Sequence, residues 1–377
     1  MERKVLKIRS LLFSVCCMLA IGLSFTSCDN DEGDSLIDTG STLTLPKTRV
    51  FILNEGIHKL NNAGMAFYAP NKDADFVSDI FMKQNKKGLG DTGQDVILYK
   101  NYMYVSVFGS QVLLKLNSAG VEEKRVAFSK SDGAPRQLVA DNGKIYVTLY
   151  SGKVAKIDAT TLDIEGYVEV GRNPEGIAED NDWIYAVNSG HGKDSTMTVI
   201  DKKAFAVSKT IIVAKNPQRV LESEGQIFVQ GYGPDYSYPV QKVDVAKGMV
   251  TTIANATHLC EHNGIIYMVY GDTDWSSKPY KTTNTFSSYN VKTGTLNKTN
   301  FLTNMPEKLG KTSVYLMEVN PNNGDIYIGT SSFTENGTIY RFDRNGKFIE
   351  QFESGGINPN HAVFFNPAYA IGILQSS

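Results

Sequence analysis

Five histidines, a few carboxylates and an unusual number of aromatic side chains are the residues of this 377-residue chain that could do chemistry. A histidine beside a carboxylate could move protons, and His361 with Glu175 is the pairing that the positions allow. His58, His191, His258 and His262 are scattered, and His258 and His361 fall where a polar residue facing a channel is the simpler reading. Asp272 and Asp274 could hold a cation, but an Asp-rich turn accounts for them equally well. The chain has no P-loop, no HExxH, no GxSxG and no CxxC, so no catalytic residue, no metal and no cofactor is expected. A net charge of −2 gives no basis for nucleic-acid binding. What remains is stacking and hydrogen bonding. The segment GYGPDYSYP sets Tyr232, Tyr236 and Tyr238 among Gly and Pro, and Trp275 and Tyr280 follow in a second polar stretch. Tyrosine held in such a frame offers rigid area with a polar tip.

Those residues need elements to hold them, and the chain repeats itself to supply them. MYVSV begins at Met103, IYVTL at Ile145, IYAVN at Ile184, IFVQG at Ile227, IYMVY at Ile266 and IYIGT at Ile326, with VFILN at Val50. Each run is β-branched and aromatic, as a strand should be. Turn pairs such as Asn142-Gly143, Asn181-Asp182, Glu224-Gly225, Asn263-Gly264 and Asn323-Gly324 stand before the runs. Strands closing on Asp158, Asp201, Asp244 and Asp343 follow, where a recurring Asp reads as a turn cap. Further strands open after Ala134-Pro135, Asn173-Pro174, Asn216-Pro217 and Asn358-Pro359. No amphipathic helix is evident. Four strands per repeat describe an all-β, seven-bladed propeller. Residues 176–178, 183–187, 197–201 and 209–213 serve as strands A to D of one blade. The chain starts at a B-type strand and its last strand is A-type, so the C-terminal strand is expected to complete the N-terminal blade.

Loop lengths then separate the two faces of the disc. A–B turns are short and uniform, whereas B–C loops expand at 54–63, 188–196, 231–239, 271–285 and 331–338, and D–A loops at 83–93 and 302–312. Scaffold-held loops are where binding groups usually sit. On that face lie Tyr232, Tyr236, Tyr238, Trp275, Tyr280, Phe108, Tyr150 and Phe333. The starts of the inner strands add Gln94, Arg136, Gln137, Glu175, Gln218, Arg219, Tyr315, Asn360 and His361. An aromatic rim around amide and guanidinium donors suits a large ligand with apolar faces and many carbonyls.

The first residues belong to targeting. Arg3, Lys4, Lys7 and Arg9 precede the apolar stretch from Leu11 to Phe25, and Phe25-Thr26-Ser27-Cys28 resembles a bacterial lipobox. Residues 1–27 are therefore read as a signal peptide and Cys28 as the lipidated residue, with 28–48 an acidic flexible linker. Asp29-Asn30-Asp31-Glu32-Gly33-Asp34 resembles the signal that sends lipoproteins to the cell surface. The propeller would span 49–366 and a tail 367–377. Cys260, the cysteine left in the mature domain, reads as a buried small hydrophobe.

The recurring NP-x-x-apolar, IYV-N and V-x-V-I-D patterns resemble the YncE-like seven-bladed propellers. Together with the anchor, the chain resembles the corrinoid-capturing surface lipoproteins of the BtuG type. That resemblance implies an outer-membrane, surface-exposed protein, membrane-held through its lipid, that binds cobalamin and passes it to a TonB-dependent transporter. A glycan- or peptide-binding accessory protein would use the same aromatic platform, and a propeller lyase or lactonase is the enzymatic alternative.

Overall fold

A computed structural model describes residues 36–70, 75–233, 235–274, 276, 278 and 280–366. The expected signal peptide, Cys28, the acidic run after it, Trp275 and the expected tail 367–377 lie outside the described residues.

The repeated apolar runs form the second strand of each of seven four-stranded antiparallel sheets. Blade 4 shows the plan, with strands Pro174–Glu179, Trp183–Asn188, Thr196–Asp201 and Ala206–Ile212 from the axis outward. The inner strands of blades 2, 3, 5, 6 and 7 are Gly93–Tyr99, Pro135–Asp141, Pro217–Ser223, His258–His262 and Val314–Val319. Blade 1 takes its inner strand, Pro359–Phe365, from the far end of the chain, paired antiparallel with Arg49–Asn54. Pro359–Phe365 also packs against the inner strands of blades 7 and 2, which closes the ring. The half-blades at the two ends of the repeat thus join into one sheet.

Each strand of the blade interior buries both faces, which is why IYVTL reads as a continuous apolar run with no alternation. Seven apolar clusters fill the seven blade–blade interfaces. Phe51 and Val105 meet between blades 1 and 2, Phe228 and Met268 between 5 and 6, and Ile52 and Tyr327 between 7 and 1. The recurring tyrosines belong to these layers, and Tyr104 donates its hydroxyl to the Ala159 carbonyl at 2.6 Å.

The turns follow their residue chemistry. Asn142-Gly143, Glu224-Gly225 and Asn263-Gly264 have positive φ at both positions, as does Lys100-Asn101 in blade 2. Asn181-Asp182 does not adopt this form; Asp180 instead accepts from the Asp182 and Trp183 amides. The recurring aspartates are caps: Asp158 accepts from Thr160 N, Asp201 from Ala204 N, Asp244 from Lys247 N and Asp343 from Asn345 N.

Three expectations are corrected. The connection before Gly93 contains a helix, Ile80–Asn85, which buries Ile80 and Phe81 and is capped by the Asp79 side chain. Six residues carry too little 3.6-residue periodicity to be legible. The expected loop 271–285 is mostly strand, because Ile265–Asp274 and Lys281–Asn290 pair as one long hairpin from Ile265↔Asn290 to Asp274↔Lys281. Residues 36–48, expected to be flexible, pack along the blade. Arg49, 2% exposed, holds Asp38 through both terminal guanidinium nitrogens at 2.6 and 2.7 Å, and Leu36, Leu43 and Leu45 cover the first apolar cluster. Among the described residues, no helix is long and apolar enough to cross a membrane.

Candidate ligand-binding site at the channel mouth

Propeller geometry brings the first residues of the inner strands together at one end of the axis. Positive φ at Thr92, Asn173, Asn216 and Asn358 turns the chain into four of these strands. Asn is suited to that backbone state, which explains the recurring Asn-Pro. The result is an open cavity of about 420 Å³, lined by side chains from these strands and from the ends of the second strands.

The wall nearest blades 3 and 4 is an ion pair. Arg136 donates from Nε to Glu175 at 2.7 Å and also bonds Gln94, while Ser189 donates to the other Glu175 oxygen at 3.1 Å. Phe108 and Tyr150 flank the same guanidinium at 5.2 and 5.3 Å and meet each other edge to face at 5.5 Å. The cation is thereby fixed and presented on an aromatic frame. Across the mouth, Tyr232 stacks on Tyr238 at 4.8 Å, and Tyr238 meets Tyr270 edge to face at 6.2 Å. Burial, with Tyr232 beside it, raises the pKa of the Tyr238 hydroxyl above its ordinary value, so it stays protonated and can donate. Tyr315 donates to Glu55, whose own pKa is raised mainly by burial.

Deeper lies a histidine held between carboxylates. His361 Nδ1 is 3.2 Å from Glu318 and Nε2 is 3.5 Å from Asp95. Burial disfavours the imidazolium, but Asp95 and Glu318 outweigh it and raise the His361 pKa. The two carboxylates occupy opposite ring nitrogens, so they do not converge on a common ion. His258 behaves in the opposite sense: burial and the nearby Arg219 hold its pKa far below the ordinary value, leaving it neutral.

Of the residues expected at the site, Arg136, Gln137, Glu175, Gln218, Arg219, Tyr232, Tyr238, Tyr315 and His361 line the cavity. Phe108 and Tyr150 stand at its edge around Arg136. Tyr236 lies 6.4 Å from Tyr232 and is exposed outside the cavity, as is Tyr280. The suggested acid–base pair is not formed: His361 pairs with Glu318 and Asp95, and Glu175 with Arg136. Asp272 and Asp274 face Thr283 and Lys281 across the hairpin. Sequence reasoning did not mark Glu55, Asn216, Gln230, Thr257 or Val314, which also line the cavity. The signal for Glu55 was its place directly after the VFILN strand.

Two solved structures share the architecture. Hydrazine synthase of Kuenenia stuttgartiensis is 15% identical, with a TM-score of 0.53 over 74% of this chain and 77% of that one. The WD40 domain of Neurospora crassa Pan2 is 10% identical, with a TM-score of 0.51 over 68% and 78% respectively. At such identities the likeness is one of fold alone. No curated protein matches the chain. A family profile covers the whole propeller, and the chain belongs to that family, described as a domain of unknown function (DUF5074) and matched over residues 49–370.

Proposed function

We propose that this propeller is a binding protein of the bacterial cell surface, anchored through Cys28. Its channel mouth takes up a large ligand with apolar faces and many carbonyl groups. A corrinoid such as cobalamin is the leading candidate, delivered onward to a TonB-dependent outer-membrane transporter. The observation that carries this reading is the pairing of a donor- and acceptor-rich cavity with aromatic groups on either side of it. A cavity of about 420 Å³ is too small to enclose a corrinoid, so the ligand would lie across the rim with polar substituents inserted. The macrocycle face would rest on the Tyr232–Tyr238 stack and on Tyr150 and Phe108. Gln94, Gln137 and Arg136 would meet its carbonyls. Because Arg136 and the tyrosine pair are already ordered, little side-chain freedom is lost on binding.

Calorimetry with cyanocobalamin tests the reading directly. Saturable heat is expected, with Tyr238→Ala and Arg136→Ala each weakening binding at least tenfold, about 1.4 kcal/mol. Absence of heat, together with no corrinoid carried through purification, would overturn it. Heat with an oligosaccharide in its place would transfer the site to glycan capture.

A further inference from the structure

The charges around the cavity are not balanced alike. Arg136 is taken up by Glu175, His361 by Glu318 and Asp95, and the Glu55 carboxylate by Tyr315. Arg219 stands apart. It lies on the inner strand of blade 5, lines the cavity and is half-buried. Among the described residues no carboxylate reaches it at ion-pair distance, and its guanidinium contact is to His258 Nδ1, at 3.2 Å. His258 is neutral there and accepts from Arg219, so it supplies no negative charge. A guanidinium has five N–H donors in a planar fork, and this one spends a single donor on the protein. Burial works against its charge more than the distant Glu318 and Asp95 support it.

We propose that Arg219 is the seat of an oxyanion carried by the ligand, a phosphate or carboxylate group. The inference rests on the capture reading and narrows it to ligands that bear an anionic oxygen group. A phosphate oxygen pair matches the fork of the guanidinium, and the anion would take up N–H donors that the fold leaves unused. Gln218, Thr257 and Gln230 border the same space with further polar atoms.

The test compares cyanocobalamin, which carries a phosphodiester, with dicyanocobinamide, which lacks it, on the full chain by calorimetry. Arg219→Gln is expected to weaken cobalamin at least tenfold and cobinamide less than threefold, with Arg219→Lys between wild type and Arg219→Gln for cobalamin. Equal losses for both corrinoids would overturn the anion seat while leaving capture intact. Should neither corrinoid bind, capture fails and inorganic phosphate decides. Saturable phosphate uptake by the wild type, read from the His258 ring resonances by NMR and lost in Arg219→Gln, supports the seat. No saturable change overturns it.

Discussion

His361 decides how the centre of the disc responds to pH. Its pKa is raised in the fold above the ordinary 6.5 by Asp95 and Glu318 acting against burial. The stability it contributes is therefore fully present below that ordinary value and is lost as pH rises through the raised one. The thermal midpoint of the wild type should fall as pH rises above the ordinary histidine value, and His361→Asn should lose this histidine-linked slope. Asp95→Asn should shrink the slope as well, because it removes the strongest pKa-raising charge. A wild-type slope that survives in both variants would sink the assignment. At this scale the sequence was partly legible. Arg136, Gln218 and His361 could be placed because each follows an Ala-Pro or Asn-Pro or Pro-Asn step that marks an inner strand. Their partners could not, since which carboxylate faces His361 depends on how blades 1, 2 and 7 meet around the axis. Ion pairing across blades leaves no trace in local spacing.

The elements sort into those whose chemistry is local and those whose chemistry is not. At Gly143 φ is +78° and nothing lies within 4 Å of where a β-carbon would sit, so Gly143→Ala isolates the backbone cost of a tight turn. A loss of about 1 kcal/mol in chemical denaturation is expected, with no change in ligand binding. A neutral result would mean that the turn relaxes to another form. These turns were read correctly because two adjacent residues specify them. The segment 36–48 was misread because its partners are remote: Arg49 sits beside it in sequence, but Gln84 comes from the connection into blade 2 and Ser118 from a turn within that blade, both far along the chain. Asp38→Ala removes the carboxylate from a buried guanidinium that keeps carbonyl bonds to Pro46, Ser118 and Leu45. The Asp38 side chain is 39% exposed, so solvent screening lowers the cost to about 1–2 kcal/mol, where a loose linker would give none. Equilibrium urea unfolding distinguishes the two. The long blade 6 hairpin escaped notice for a related reason: its outer half is polar, rich in Thr, Ser and Asp, and cross-strand pairing with contacts such as Thr273 to Thr282 at 3.0 Å sustains it.

For the whole molecule, the ring depends on Pro359–Phe365. Deleting residues 358–377 should leave Arg49–Asn54, all buried in the intact protein, as an open edge. The expected product is an aggregated or non-cooperatively melting chain by size exclusion and circular dichroism. A synthetic peptide of residues 358–366 should restore a cooperative transition. A truncated monomer that melts like the full chain would show that closure contributes nothing. The architecture was the most legible level because seven imperfect copies constrain one another, and errors in any single copy, such as blade 6, did not propagate. The closing contact also sets a clock. Asn358 donates to the Gly56 carbonyl across 302 residues of chain, so blade 1 cannot be finished until every other blade has been made. Contacts of such separation fold slowly. During synthesis the most apolar strand of the first blade waits with one edge uncovered, paired only to Gly64–Tyr68, which makes early aggregation, more than final stability, the hazard this topology must survive.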